Sequence, residues 1–556
     1  MSIGSRLIGW VFRLAPAKTR NIIIERDIKV PMHDGIELLA DRYFPRGDGK
    51  VPTLLVRSCY GKTGFIGFLN GRLYAERGFQ VLIQNCRGTF GSGGDLNPFH
   101  QEREDGLATI EWIRKQRWFS GDLAMVGASY LGYVQWAIGR DAEPDLKAMS
   151  VQVTASEFRS PTCAGESFAI HDPLIWVYGM NRQEKTRLGM MAAMMMGEKK
   201  IKSVANELPL NTLDKLATGE KVRYWQDWLA HSEPGYDWWK PSDHSERVSQ
   251  VSAPVRFVGG WYDIFLPWMI KDYTALHKAG HNPHLTIGSW HHLSPGVMSC
   301  GLRDSIDWFY AHILGDRSRL PKKPVKIFIM GSKEWRHYGE WPPRDSRREY
   351  WYLQESKGLA TDLPTQSEPG YYRYDPADPT PNVGGGIMGR EGGAKDNRTL
   401  EARSDVLVFT SEPMHQDLEV IGPVCAELYV RPSLEHTDFF VRLCDHYPSG
   451  KSMNICDGIR RLRPGNARRD SEGCLRIKIE MWPTAYCFRR RHSIGVQISS
   501  GAHPRYARNT GSGEPIGEAT RLCTAEQAVF HDPAHPSAIV LQVLKPGQPS
   551  RCKKMT

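Results

Sequence analysis

The stretch Leu123-Ala124-Met125-Val126-Gly127-Ala128-Ser129-Tyr130-Leu131-Gly132 reads as a short buried strand, a serine at a sharp turn, and the start of a helix continuing through Tyr133-Val134-Gln135-Trp136-Ala137-Ile138. A serine in that position is pushed out above the sheet edge. There its hydroxyl can meet a histidine from a later loop, and the backbone N–H of Tyr130 points where a developing oxyanion would sit. Gly127 and Gly132 provide small residues where the turn brings neighbouring elements close. The pattern departs from G-x-S-x-G, because Leu131 stands where the second glycine is usual and the glycine comes one place later. By itself it also fits an ordinary strand-to-helix connection, so the surrounding chain has to decide.

Working outward, the alternation from Ile22 to Val30, the polar turn His33-Asp34-Gly35 and the apolar run from Ile36 to Ala40 predict an antiparallel hairpin. Apolar strands follow at Thr53 to Arg57, Phe79 to Asn85, Leu123 to Ala128 and Met149 to Val153, with helical segments between them. That alternation predicts a mostly parallel sheet. In the helix before Ser129, Glu102, Glu104 and Asp105 occupy the first turn, where the dipole favours acids, and Leu107, Ile110 and Ile113 form an inner stripe. From Phe158 to Trp239 the strand signal disappears, which reads as an inserted helical cap. Its Met190-Met191-Ala192-Ala193-Met194-Met195-Met196 run fits a helix core or a pliable acyl pocket. Strands resume at Pro254 to Gly260 and His284 to Gly288, and Asp304 to Leu314 reads as a closing helix. Beyond Pro324, short strands with Gly, Pro and Asp turns signal a β-sandwich, with Asp375 to Asp396 as a long surface loop. The expected α/β organisation is therefore hydrolase first half 1–157, cap 158–245, hydrolase second half 246–318 and C-terminal β domain 319–556.

A chain of 556 residues is too long for one core. Its net charge of +10 is spread along the sequence, and the clusters Arg460-Arg461-Leu462-Arg463 and Arg489-Arg490-Arg491 read as solvated sheet edges rather than a nucleic-acid surface. Eleven cysteines without a CxxC pair argue against a zinc site and a disulfide framework, and fit a reducing, cytoplasmic compartment. Leu7 to Phe12 is apolar but interrupted by Arg13, and reads as an amphipathic helix or a degenerate signal peptide. No stable membrane anchor, cofactor or metal is expected; a homo-oligomer is compatible with the sequence.

A serine nucleophile needs a base and a group that orients it, in the chain order Ser, Asp, His for this kind of sheet. Asp263 follows the strand ending in Gly259-Gly260-Trp261-Tyr262, and the next strand ends in Gly288-Ser289-Trp290-His291-His292. Both ends lie on the sheet's ligand-binding edge. Periodicity cannot separate His291 from His292. A second oxyanion donor beside the Tyr130 N–H is required, and the loop Ser58-Cys59-Tyr60-Gly61-Lys62 lies where one belongs; Tyr60 is either that donor, through its phenol, or a packed aromatic.

Taken with Gln84-Asn85-Cys86-Arg87-Gly88, these segments resemble the cocaine esterase and X-Pro dipeptidyl-peptidase group of serine hydrolases, the CocE/NonD and peptidase S15-like enzymes. Ile494 to Ser500, Pro504 to Asn509 and His531-Asp532-Pro533-Ala534-His535-Pro536-Ser537 resemble that group's C-terminal jelly-roll motifs. The resemblance implies an α/β-hydrolase domain, a helical cap and a jelly roll around one active site. It assigns the tyrosine role to Tyr60, and its G-P-W-S-H motif places the base at His292, although Ser289 replaces the proline and His291 the serine. Members acting on α-amino-acid esters carry acids shortly after the catalytic aspartate, whereas Ile264-Phe265-Leu266-Pro267-Trp268 follow here. An apolar wall does not compensate a buried ammonium. The expected substrate is a small-molecule ester or amide with an apolar or aromatic acyl group. X-Pro dipeptidyl-peptidase and α-amino-acid ester hydrolase activities are the alternatives.

Two further readings have less support. Gly61-Lys62-Thr63 is no phosphate loop, because Val56 stands where its first glycine belongs, and Gly88 to Gly94 reads as a tight turn around a structural Arg87. A non-catalytic binding protein using its jelly roll would be marked by a missing triad member, and none is missing.

Overall fold

A computed structural model describes residues 2–47, 49–185 and 189–544. Ten strands form the first sheet: β1 (Ile22–Pro31), β2 (Glu37–Pro45), β3 (Thr53–Ser58), β4 (Gln80–Asn85), β5 (Leu123–Ala128), β6 (Leu146–Gln152), β7 (Val255–Tyr262), β8 (His284–His291), β9 (Val325–Ile329) and β10 (Glu334–Tyr338). Their order is β1-β2-β4-β3-β5-β6-β7-β8-β9-β10, with β3 to β9 parallel and an antiparallel hairpin at each edge. The central strands are apolar throughout because both faces are covered. Leu55, Leu82 and Met125 feed one core, while Leu54, Val81, Ile83, Ala124 and Val126 feed the other. Each such Leu, Ile or Val contributes about 1.5–3 kcal/mol by leaving water.

The helix Glu102–Arg114 buries Ile110 and Ile113 as expected, but its acids do more than face the dipole. Glu102 lies 2.6 Å from the fully buried Arg57, and Asp105 pairs with Arg87 at 2.6 Å. Arg87 also reaches Asp34, in keeping with a structural role. The segment between β6 and β7 is helical, including Arg159–Thr162, His171–Gln183, Gly189–Val204 and Arg223–Ala230. The closing helix runs over Pro295–His312, nine residues earlier at its start than the sequence pattern indicated. At the N-terminus, Ser2–Val11 is helical, with Leu7, Trp10 and Val11 exposed. Among the described residues no helix is long and apolar enough to cross a membrane.

Three expectations require correction. The first sheet continues past residue 318: β9 lies parallel to β8, pairing Val325 with Leu285, and β10 folds back on β9. Alternating burial of Val325, Ile327 and Ile329 marks a strand, but no local pattern specifies which sheet it joins. The C-terminal β-sandwich therefore begins with Ser346–Leu353 and gathers eleven strands, the longest being Leu418–Pro432 and Leu475–Phe488. Secondly, Asp375 to Asp396 is not wholly a surface loop, because Ile387 and Met388 are buried, Met388 against the cap. Thirdly, Arg461 is buried and doubly hydrogen-bonded to Asp438 rather than solvated.

Candidate active site

Ser129 occupies the turn between β5 and the helix Tyr130–Ile138, with φ 57° and ψ −124°. A non-glycine residue held there costs on the order of 1–3 kcal/mol and persists only where its surroundings enforce it. The enforcing bonds are specific. The Ser129 N–H donates to the Gln152 carbonyl at 2.9 Å, and the Thr154 hydroxyl donates to the Ser129 carbonyl at 2.8 Å. A Cβ on Gly127 would overlap Leu131, and one on Gly132 would overlap Thr154. The displaced glycine thus lets the helix approach the segment after β6 that supplies Thr154.

Asp263 and His292 follow the ends of β7 and β8, as the sequence indicated. Asp263 is fully buried; its Oδ1 accepts the Phe265 N–H at 2.9 Å, and its Oδ2 lies 2.6 Å from His292 Nδ1. His292 Nε2 lies 3.0 Å from Ser129 Oγ. The neighbouring His291 bonds to neither group; its ring Nδ1 is buried without a partner, and burial lowers its basicity. Of the two adjacent histidines, only His292 connects the aspartate to the serine.

Tyr60 stands after β3, half-buried beside Ser129. Burial pushes the phenol well above its ordinary pKa and keeps it protonated. Its oxygen accepts the indole N–H of Trp176 at 3.0 Å, leaving the hydroxyl proton available to donate. The Tyr130 side chain is engaged away from the serine, donating to Glu102 at 2.6 Å and accepting from the Phe99 N–H. Only its backbone N–H, at the first residue of the helix, remains for an oxyanion.

Ser129, Tyr130 and His292 open into one cavity walled by Phe158, Trp176 and Trp228 of the cap, by Phe265 and Trp268 after Asp263, and by Trp482 of the β-sandwich. The methionine run of the cap contributes nothing to this wall; Met194 is buried in helix packing while Met191, Met195 and Met196 are exposed. Two acids missed in the sequence reach the cavity, Glu157 just before the cap and Asp172 within it. Both are already engaged. Glu157 accepts the Ser160 N–H and hydroxyl, and burial raises its pKa. Asp172 Oδ1 accepts the Met388 N–H and sits 2.9 Å from His171 Nδ1. Arg505 and Tyr506 also line the cavity. They fall in a recognisable C-terminal motif, but no spacing rule joins that motif to Ser129.

Comparison with known proteins agrees with this architecture. A model of the X-Pro dipeptidyl-peptidase (S15 family) matches residues 34–294, and one of the X-Pro dipeptidyl-peptidase C-terminal non-catalytic domain matches residues 320–540. The chain belongs to the S15-like, CocE/NonD group of serine hydrolases. Within that group, cocaine esterase of Rhodococcus sp. (strain MB1 Bresler) is 29% identical over 574 residues, spanning 94% of this chain and 99% of its own length. Two solved structures share the fold. An aminopeptidase from the marine sediment archaeon Thaumarchaeota archaeon has a TM-score of 0.79 at 21% identity, covering 96% of this chain and 98% of its own. An α-amino acid ester hydrolase has a TM-score of 0.74 at 21% identity, covering 95% and 98%. As an S15-like serine hydrolase, the protein hydrolyses ester or peptide bonds.

Proposed function

We propose that this hydrolase cleaves carboxylic esters, and more slowly amides, of compact apolar or aromatic acyl groups through an acyl-enzyme on Ser129. The observation that carries the reading is the continuous path from Asp263 Oδ2 to His292 Nδ1 at 2.6 Å and from His292 Nε2 to Ser129 Oγ at 3.0 Å. His292 takes the hydroxyl proton as Ser129 Oγ bonds to the acyl carbon. Asp263 keeps the other ring N–H in place and offsets the imidazolium charge. The Tyr130 N–H and Tyr60 O–H receive the oxyanion. As the tetrahedral intermediate collapses, the leaving group takes the proton from His292, and water then repeats the sequence to release the acid. An aromatic cavity whose acids are already hydrogen-bonded favours a neutral acyl group, since an ammonium there would lose its hydration.

Labelling with a fluorophosphonate tests the nucleophile. Ser129→Ala is expected to abolish labelling and to lower kcat by about 10⁵–10⁶-fold; undiminished labelling of the variant sinks the assignment. A second reading, aminoacyl or free-amine substrates, rests on the presence of Glu157 and Asp172 in the same cavity. If either acid anchors an amine, Glu157→Gln or Asp172→Asn will cost more than about tenfold in kcat/KM for an aminoacyl ester and little for the matching phenylacyl ester, each 1.4 kcal/mol of lost anchoring being tenfold.

A further inference from the structure

Two loops of the β-sandwich, distant in sequence, bring Asp470, Cys474 and His535 together so that a ligand atom of each lies within 4.8 Å of the others. One loop precedes the strand Leu475–Phe488, and the other joins Ala525–Phe530 to Ala538–Leu544. None of these residues lines the active-site cavity. His535 Nε2 is 3.3 Å from Asp470 Oδ2 and 3.9 Å from Glu472 Oε2. Tetrahedral ligands about 2.0–2.3 Å from a zinc ion stand roughly 3.3–3.8 Å from one another, so the set closes around an ion with small side-chain rotations.

The supporting contacts leave the inward atoms available. Asp470 Oδ1 accepts the backbone N–H groups of Glu472 and Cys474, both at 2.9 Å, so Oδ2 alone faces the histidine. His535 Nδ1 lies 3.2 Å from Asp532 Oδ2, and Asp532 is fixed in turn by the N–H groups of Ala534 and His535. A carboxylate behind the distal nitrogen is the arrangement that orients a metal-binding imidazole and raises its basicity. The rings of Tyr429 and Phe530, 5.5 and 5.4 Å from the imidazole, hold its plane. Cys474 is fully buried, and among the described residues its thiol makes no hydrogen bond.

We propose that Asp470, Cys474 and His535, with Glu472 as fourth ligand, bind one zinc ion that pins these two loops together. Thiolate and imidazole ligands select a borderline-soft ion over calcium or magnesium. Cys474 releases its thiol proton to solvent as the Zn–S bond forms. The competing reading is an Asp470–His535–Asp532 ion-pair relay around a cysteine that merely packs.

Metal analysis of the full-length protein, stripped with chelator and then reconstituted with Zn²⁺ and gel-filtered, separates the two. About one equivalent of zinc is expected to remain on the wild type and to be lost in Cys474→Ser and His535→Ala. Co²⁺ loading of the stripped wild type is expected to give a thiolate-to-metal charge-transfer band that is absent in Cys474→Ser. Zinc should raise the Tm of the stripped wild type by several degrees, while hydrolysis of a short-chain ester by Cys474→Ser stays within about twofold. Wild-type protein that retains no more zinc than Cys474→Ser and gives no cobalt–thiolate band overturns the site. Cys474→Ser is nearly isosteric, so the comparison stands even where His535→Ala fails to fold.

Discussion

At Ser129 the chain accepts a strained backbone to project one hydroxyl, and the surrounding bonds from Thr154 and to Gln152 hold it there. The histidine choice is equally local. His292→Ala is expected to lower kcat/KM on a short-chain ester by several orders of magnitude, whereas His291→Ala should stay within about tenfold, because only the former removes the group between Asp263 and Ser129. A comparable loss in His291→Ala with an active His292→Ala would reverse the assignment. Tyr60→Phe removes one proposed oxyanion donor without changing the ring, so kcat should fall by about 10²–10³-fold with KM little altered. Trp176→Phe, which leaves the Tyr60 hydroxyl in place but ends the indole N–H bond to it, should lower kcat by less than Tyr60→Phe does.

Among the elements, the helix Leu266–Lys278 ties the loop that carries Asp263 to the segment leading into the cap. Its Asp272 is buried and accepts the Ser156 N–H and hydroxyl at 2.9 and 2.6 Å. Burial raises the Asp272 pKa to about 8, against the opposing pull of the Ser156 bonds, from an ordinary 3.8. The folded chain therefore holds a proton that the unfolded chain has released across that interval. The stabilisation is present in full below pH 3.8 and declines as pH rises to about 8, by up to about 1.4 kcal/mol per pH unit. Asp272→Asn, which stays neutral, should flatten the fall in denaturation midpoint between pH 5 and 8 measured by urea titration; an unchanged slope would count against a protonated Asp272. The helix Glu102–Arg114 is similarly fastened through Arg57, whose guanidinium is fully buried against Glu102. Arg57→Leu leaves that carboxylate unpaired and is expected to cost about 3–5 kcal/mol of unfolding free energy. Sequence patterning located the helix Glu102–Arg114 and the central strands because both faces of the sheet demand apolar runs, but it named no helix over Leu266–Lys278. It missed the Arg57–Glu102 pair, because acids in a first turn satisfy the helix dipole whether or not a buried arginine waits opposite.

For the whole molecule, the cavity beside Ser129 exists only where three parts of the chain meet. Phe158, Trp176 and Trp228 come from the cap, Phe265 and Trp268 from the start of the helix Leu266–Lys278 in the hydrolase domain, and Trp482, Arg505 and Tyr506 from the β-sandwich. Arg505 is held at 2.6 Å from buried Asp457, which also pairs with Arg442, so the sandwich presents a fixed wall. Trp482→Ala should therefore raise KM for an aromatic ester several-fold while leaving acetyl esters within about twofold, as initial-rate kinetics on the two series would show. An equal effect on both would mean that Trp482 supports the fold rather than the acyl group.

The sequence by itself determined the alternation of strands and helices, the hairpin at the sheet edge, the inserted cap, the β-rich C-terminal half, and the order of Ser129, Asp263 and the histidine pair at the ends of β5, β7 and β8. Each of these is written in local periodicity, turn residues or chain order, which neighbouring positions encode. Tertiary structure decided the rest. It set His292, and not His291, between Asp263 and Ser129, attached Val325 to Tyr338 to the first sheet, folded Met388 inward, and brought Trp176 to Tyr60 and Glu157 to the cavity. Those outcomes depend on contacts between residues tens to hundreds of positions apart, where packing and burial select partners that no local pattern names.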